Sequence, residues 1–170
     1  MRFITEEYRK LNEQMHAEKR FYGAVGFRYL FDVLDLVNKH HTQDILDYGC
    51  GKSSLARNLP FNIKEYDPAV KKFAASPEPA DIVVCTDVLE HIEPECLDDV
   101  LTHLKMLTKK AGFFGISTEP AYKKLPDGRN AHLIVEPYTW WIEKMASYFE
   151  IVGMKKEKFE IVLIVEPKNC

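Results

Sequence analysis

A short apolar run that ends in two closely spaced glycines constrains this chain more than any other feature of its sequence. The run, Asp44-Ile-Leu-Asp-Tyr48, is typical of a buried strand, and Gly49 and Gly51 follow it directly. Glycines at these positions permit a tight turn in which the main chain can approach a ligand closely. We expect a helix at residues 53–59, so that strand, turn and helix form the opening unit of an α/β fold.

Segments with strand and helix patterns alternate along the rest of the chain. Residues 5–20 are polar and indicate a loose arm or helix, whereas the next apolar positions recur at helical spacing. The alternation predicts a three-layer α/β fold, in which a mostly parallel sheet has helices on both faces and closes with an antiparallel C-terminal hairpin. The apolar positions at helical spacing are Phe27, Leu30, Phe31, Leu34 and Val37. The predicted strands cover residues 44–48, 63–66, 81–86, 112–117, 150–155 and 159–166. Later helices are predicted at residues 97–107 and after Pro137.

Length, charge and cysteine content limit the class of protein. A chain of 170 residues fits one domain. Its net charge of -3 gives no overall basic field, so a nucleic-acid partner would need a local patch. The four cysteines include no Cys-x-x-Cys pair, and no apolar run approaches the ~18 residues of a membrane span. We expect a cytoplasmic protein without a membrane segment, whose oligomeric state stays open.

Two nucleotide-binding motifs compete for the glycine turn, and each lacks a required glycine. A dinucleotide-binding turn needs a third glycine or alanine where Ser54 stands. A P-loop that ends in Gly51-Lys52-Ser53 needs its first glycine where Leu46 stands. An adenosyl cofactor fits the turn better than either.

Two motifs of the chain occur together in one known family. Asp47-x-Gly49-x-Gly51 resembles the first motif of class I S-adenosylmethionine-dependent methyltransferases, and Asp87-Val-Leu-Glu-His-Ile92 resembles the signature that follows a later strand in that family. The resemblance implies a Rossmann-like methyltransferase fold with S-adenosylmethionine as cofactor. It also implies that the main chain of both glycines packs on the cofactor, that Asp47 binds the cofactor's amino group, and that Asp67 binds its ribose hydroxyls.

The chain departs from that family between Asp67 and Asp81. Only thirteen residues separate these two positions, whereas the family places a helix, a strand and a second helix there. We expect residues 69–80 to form one short helix or an irregular crossover, so that the sheet is shortened by an edge strand. The family's acidic adenine ligand then has no counterpart, and Asp87 and Phe73 are the candidates for contact with the adenine.

Four residues could carry chemistry at the carboxyl edge of the sheet. Asp87, Glu90 and His91 have the spacing that places side chains on one face of a helical turn, and His132 lies in a later loop. Two carboxylates and two imidazoles could hold Mg²⁺ or Mn²⁺. Without a metal ion, His132 could act as a general base with Glu90 and His91 beside it.

The same pattern is similar to two kinds of methyltransferase. Asp-x-x-Glu-His with a later histidine and a helix that carries Trp140-Trp141 resembles the metal-dependent small-RNA 2′-O-methyltransferases. Asp-Val-Leu-Glu-His is also similar to small-molecule methyltransferases in which it has no demonstrated metal role. Trp140 lies beside the apolar stripe of its helix and is a candidate for stacking on an acceptor.

Three functions therefore stay open. We expect O-methylation of a hydroxylated small molecule, and the alternatives are ribose 2′-O-methylation of RNA with a metal ion and non-catalytic cofactor binding with a regulatory role. We expect residues 1–41 to form a helical arm or lid, and residues 42–170 to form the cofactor-binding domain. Tyr8 and Tyr22 are the lid residues that the sequence suggests.

Overall fold

The computed structural model of the protein describes residues 1–19 and 22–168. Within that part of the chain one sheet has six strands in the order β2-β1-β3-β4-β6-β5. Strands β1 to β4 are parallel, whereas β6 pairs antiparallel with both β4 and β5. The strands are β1 (Ile45–Tyr48), β2 (Lys64–Tyr66), β3 (Ala80–Thr86), β4 (Thr108–Ser117), β5 (Phe149–Lys156) and β6 (Glu160–Pro167).

Helices cover both faces of the sheet and complete three layers. Successive strand residues point to opposite faces, so Ile82 packs with α2 while Val83 packs with α3 and α4. The predicted three-layer α/β fold with its C-terminal hairpin is confirmed. The helices are α1 (Glu6–Glu18), α2 (Leu30–His40), α3 (Leu97–Leu107) and α4 (Tyr138–Ala146).

The missing edge strand is also confirmed. Strand β2 ends at Tyr66 and β3 begins at Ala80, and a single 3₁₀ turn at Lys71–Phe73 is the only helical element between them. Strand β2 therefore forms the edge of the sheet. This leaves the space beside the end of β2 to be filled by another part of the chain.

The helix predicted at residues 53–59 does not form. Residues after the glycine turn are irregular, with one 3₁₀ turn at Ala56–Asn58. Gly51 and Ser53 both have positive φ angles, of 50° and 58°, and this left-handed conformation is incompatible with the start of an α-helix.

The apolar stripe predicted around α2 is displaced. Phe27 and Phe31 are 52% and 78% exposed, so their predicted burial is wrong. The residues before Leu30 form a 3₁₀ turn, which shifts the angular position of the helix that follows. Val37 is buried as predicted, and Val33 and Leu36 are the other buried positions of α2.

No helix in the described part of the chain is both long and apolar enough to cross a membrane.

Candidate functional site

A cavity of about 640 Å³ lies beyond the carboxyl ends of β1, β3 and β4. Helix α1 and the loop of residues 118–135 form its outer wall. The side chains of Tyr8, Asn12 and His16 reach it from α1. Its inner wall includes six residues predicted from the sequence, namely Gly49, Gly51, Asp67, Asp87, His91 and His132.

The glycine turn is held by contacts with the protein itself. Gly49 has a φ of +79°, and a Cβ there would lie 2.3 Å from Val88 Cγ2. Gly51 has a φ of +50°, and a Cβ there would lie 2.5 Å from the carbonyl oxygen of Gly23. Both positions therefore require glycine before any ligand is considered. The sequence predicted close approach by a ligand, and the structure adds Gly23 as a main-chain neighbour.

Asp67 is fixed at the end of β2 by two main-chain N–H groups. Gly51 N donates to Asp67 Oδ2 over 3.0 Å, and Ala69 N donates to Asp67 Oδ1 over 2.9 Å. His16 Nε2 lies 3.9 Å from Asp67 Oδ2. Burial raises the pKa of Asp67, while His16 and the two N–H groups oppose the change. Each carboxylate oxygen keeps a further lone pair with which to accept a hydroxyl proton donor.

Asp47 lies beneath the turn and is not among the residues that line the cavity. It is buried, and burial raises its pKa to about 7, with the carboxylates of Glu65 and Asp67 adding to the shift. A contact between Asp47 and the amino group of a cofactor stays a prediction.

Asp87, Glu90, His91 and His132 come together at the rim of the cavity. Each offers one oxygen or nitrogen atom, and these atoms all lie within 4.8 Å of one another. Asp87 has a φ of +58° directly after β3, and a 3₁₀ turn at Leu89–His91 follows it. His132 reaches the group from the loop after β4. We call these four residues the rim cluster.

Both imidazoles of the rim cluster have one nitrogen fixed by a main-chain carbonyl. His91 Nδ1 lies 2.7 Å from Ala131 O, and His132 Nδ1 lies 2.6 Å from Glu119 O. A carbonyl only accepts, so each Nδ1 must carry the proton that is donated. In a neutral ring the lone pair then lies on Nε2, where it can accept a proton or bind a metal ion. Burial lowers the pKa of His91 to about 4, which keeps its ring neutral.

Glu90 is fully buried, and only one of its two carboxylate oxygens has a hydrogen-bond partner among the described residues. Ser117 N donates to Glu90 Oε1 over 2.8 Å, whereas Oε2 has no hydrogen-bond partner among the described residues. Burial and the nearby Asp87 hold the pKa of Glu90 well above its ordinary range. A buried carboxylate oxygen without a partner is costly, and either a proton or a cation would relieve that cost.

Helix α1 is fastened to the segment that carries the rim cluster. Thr5 donates to the Glu93 carboxylate from its main-chain N over 2.8 Å and from its hydroxyl over 2.7 Å. The Tyr8 hydroxyl donates to the carbonyl of His91 over 2.6 Å. The Tyr22 hydroxyl donates to Asn12 Oδ1 over 2.6 Å. Tyr8 and Tyr22 thus lie where the sequence suggested a lid.

Two residues suggested for ligand contact lie outside the cavity. Phe73 lines a separate shallow hollow together with Phe27, although its carbonyl accepts a hydrogen bond from Asp67 N over 3.1 Å. Trp140 packs against the core beside Trp141, with ring centroids 5.0 Å apart. The cavity lining therefore gives no support to adenine contact by Phe73 or acceptor stacking by Trp140, and both stay predictions.

An apolar slot at the end of the cavity near β2 was not predicted. Phe3 stacks on His103 with ring centroids 4.1 Å apart and planes 10° apart. The Tyr48 hydroxyl lies 3.1 Å from His103 Nδ1. Phe3 and Tyr48 line the slot with Ile4, Val88 and Val100. These residues are distant in sequence and show no shared periodicity, so the sequence contains no signal that joins them.

A family comparison assigns the cavity to a known class of enzyme. The family model described as a methyltransferase domain matches residues 14–151, which include the glycine turn, Asp67 and the whole rim cluster. The chain belongs to this methyltransferase family. The protein is an S-adenosylmethionine-dependent methyltransferase of class I, as its two motifs implied. The family match favours catalysis over the non-catalytic alternative. A search of curated proteins gave no match to this methyltransferase.

Solved structures share the fold of the methyltransferase at low sequence identity. Magnesium protoporphyrin IX methyltransferase from Synechocystis with bound SAH gives a TM-score of 0.64 at 14% identity, covering 95% of this chain and 100% of that one. An rRNA methylase from Escherichia coli gives 0.52 at 15%, covering 97% and 78%. TehB from Haemophilus influenzae gives 0.56 at 11%, covering 81% of this chain and 62% of that one. The methyltransferase thus spans less than two thirds of the TehB chain.

Proposed function

We propose that this methyltransferase transfers a methyl group from S-adenosylmethionine to a hydroxyl group of a small molecule, with the rim cluster binding a divalent cation at the acceptor. The observation that carries the proposal is the convergence of Asp87, Glu90, His91 and His132 within 4.8 Å at the edge of the cofactor cavity. A site with two carboxylates and two imidazoles suits a metal ion and an oxygen ligand.

Neighbouring parts of the cavity wall match neighbouring parts of the cofactor. The Asp67 carboxylate, held by Gly51 N and Ala69 N, suits two adjacent ribose hydroxyls. The slot beside it, with Phe3 on one side, suits the flat adenine ring. The glycine turn then follows and suits the methionine part of the cofactor. The methyl group would face the rim cluster.

The rim cluster passes three chemical tests for a cation site. The four candidate ligand atoms all lie within 4.8 Å of one another, close enough for one cation to be held by all of them. Both histidines are fixed through Nδ1 to a carbonyl, the usual support of a metal-binding imidazole. Glu90 Oε2 is buried and has no partner within the described residues. Two imidazoles favour Mn²⁺ over Mg²⁺.

Methyl transfer from a sulfonium is a direct displacement, so the protein must align the acceptor oxygen with the methyl group and help it lose its proton. A cation at the rim cluster would polarise the acceptor hydroxyl and lower its pKa. Without a bound cation, His132 Nε2 would instead be free to accept the proton, since Glu119 O holds the opposite nitrogen; with a cation bound through Nε2, the proton would leave to solvent. The buried Glu90 and the neutral His91 keep the cluster in place through Ser117 and Ala131.

A small-molecule acceptor agrees with the closed form of the cavity. Helix α1 and the loop of residues 118–135 pack together through Tyr8, Met15, Tyr22, Leu125 and Ala131. An acceptor must therefore enter as a single group and not as a long duplex. The net charge of -3 also gives no broad surface for polyanions.

Ribose 2′-O-methylation of RNA is the second candidate. The rim cluster itself favours it, because the metal-dependent small-RNA enzymes that the chain resembles share its residue types. A 3′-terminal nucleotide is small enough to enter the cavity as one group. Exposed Lys124 supplies local positive charge on the loop, whereas Arg129 is paired with Asp127.

Labelled S-adenosylmethionine tests both candidates. The methyltransferase is incubated with fractionated metabolites or with RNA, in Mn²⁺, in Mg²⁺ or in EDTA. We expect label in a metabolite fraction with Mn²⁺ and loss of label in EDTA. Label confined to RNA would select the second candidate, and equal transfer in EDTA would exclude the cation.

The division into an arm of residues 1–41 and a binding domain of residues 42–170 stays a prediction. In this division α1 would form the lid, whereas α2 packs on the sheet. A cytoplasmic location is likewise proposed, and the buried free cysteines Cys50, Cys85 and Cys96 agree with a reducing compartment.

A further inference from the structure

Lys123 is placed on the cavity wall by a braced loop. Ala131 N donates to the carbonyl of Lys123 over 3.1 Å, and Lys124 and Asn130 form a bridge beside it. The Lys123 side chain is half-buried, and its Nζ lies 5.5 Å from the centroid of the Tyr22 ring. The ammonium group is therefore directed toward α1 and the interior of the site.

The charge of Lys123 is unusual for this cavity. Asp67, Asp87 and Glu119 are its acidic lining residues, and Lys123 is the only lysine or arginine on the wall within residues 1–19 and 22–168. No described carboxylate lies within ion-pair distance of Lys123 Nζ, although other described lysines and arginines form ten such pairs. A half-buried ammonium without an ionic partner is well suited to an anionic ligand.

The position of Lys123 relative to the rim cluster defines where that ligand lies. The Tyr22 ring, over which Nζ sits, meets the His91 ring edge to face with centroids 5.8 Å apart. Lys123 thus stands one aromatic ring away from the rim cluster, on the side of α1. A ligand atom that contacts Lys123 belongs to a molecule whose other end can reach the reacting methyl group.

We propose that Lys123 binds a carboxylate or phosphate group of a ligand inside the cavity, and so selects for that group. The inference rests on the proposed function. The anionic group that Lys123 binds can belong to either of two molecules. It is the carboxylate of the methionine part of the cofactor, or an acidic group on the acceptor. Either source makes Lys123 a specificity-determining residue of the loop after β4.

The test uses two matched variants of the full chain. Lys123→Met removes the charge and keeps an unbranched chain of similar length, and Lys124→Met makes the same change at the neighbouring exposed lysine. Calorimetry measures the Kd of S-adenosylhomocysteine and of 5′-methylthioadenosine, which has the same adenosine part but no carboxylate. Inorganic phosphate is then titrated into protein saturated with S-adenosylhomocysteine.

If the cofactor carboxylate is the ligand, Lys123→Met weakens S-adenosylhomocysteine binding by about tenfold or more, the effect of one charge-assisted hydrogen bond. Methylthioadenosine then binds with unchanged Kd, which also shows that the variant is folded. If an acidic acceptor is the ligand, S-adenosylhomocysteine binding is unchanged and phosphate binding is lost in Lys123→Met.

Two results would overturn the inference. In the first, Lys123→Met alters neither S-adenosylhomocysteine binding nor phosphate binding. In the second, Lys124→Met produces the same losses, which would reduce the effect to general surface charge. Failure of the wild-type chain to bind S-adenosylhomocysteine at all would contradict the proposed function instead, so the two failures are distinguishable.

Discussion

Gly51 packs its α-carbon directly against the main chain of Gly23, so that a Cβ at position 51 would lie 2.5 Å from the Gly23 carbonyl oxygen. The contact is reinforced by a hydrogen bond of 2.7 Å from Lys52 N to Gly23 O. The cofactor turn and the segment around Gly23 therefore share one main-chain interface. A change at Gly51 acts on that segment before it acts on any ligand.

We predict that Gly51→Ala lowers the free energy of unfolding more than Gly128→Ala does. Both glycines have positive φ angles, of 50° and 90°, but nothing lies within 4 Å of a Cβ at Gly128. In the control, Gly128→Ala, the only cost is that of holding alanine in a left-handed backbone conformation, about 1 kcal/mol. Gly51→Ala has this cost and the clash with Gly23 as well. Urea unfolding of both variants measures the difference. Equal losses would show that the Gly23 contact adjusts without cost.

The sheet and the glycine turn were predictable from sequence because both depend on local patterns. The run that ends at Tyr48 and the thirteen residues between Asp67 and Asp81 correctly indicated β1 and the missing edge strand. The helix expected at 53–59 was not correct, since the left-handed conformation of Ser53 follows from the packing of the turn. Periodicity carries no information about such long-range packing.

The rim cluster was also predicted, but the walls around it were not. The spacing of Asp87, Glu90 and His91 is local, and His132 was added because histidine suits the chemistry. Phe3, His16 and Lys123 reach the cavity through contacts between distant parts of the chain. Only the folded arrangement of α1 and the loop after β4 identifies them as lining residues.

The second prediction concerns the proposed cation. Glu90→Gln keeps the shape of the side chain and its bond from Ser117 N but removes the negative charge. We expect Mn²⁺ affinity, measured by calorimetry, to fall at least about tenfold, with transfer activity lost and S-adenosylhomocysteine binding retained. Glu143→Gln, at an exposed position of α4, is the control and should bind Mn²⁺ as the wild type does. Undiminished Mn²⁺ binding by Glu90→Gln would remove this residue from the cation site.

The third prediction follows from the buried Asp47. Its pKa in the fold is about 7 against an ordinary value of 3.8. Between these values the folded chain keeps a proton that the unfolded chain loses, so this group makes the protein less stable as pH rises through that window, by up to about 1.4 kcal/mol per pH unit. Asp47→Asn has no proton to lose.

The stability gained by Asp47→Asn over the wild type should therefore grow from pH 4 to pH 7 and stay constant above it. Denaturant unfolding of the ligand-free proteins across that range gives the difference. A difference that does not change with pH would mean that Asp47 titrates at its ordinary value in the fold.

The fourth prediction tests the slot near β2 as the adenine site. Phe3 lines this slot and is supported from behind by His103, 4.1 Å away between ring centroids. Base stacking on an aromatic side chain contributes about 1–3 kcal/mol, so Phe3→Ala should weaken S-adenosylhomocysteine and 5′-methylthioadenosine binding equally, by about fivefold to a hundredfold. Phe31→Ala removes a phenylalanine that is 78% exposed on α2 and should leave both affinities unchanged. If Phe3→Ala also binds both ligands with wild-type affinity, the adenine lies elsewhere, and the segment before α1 serves only to anchor that helix through Thr5 and Glu93.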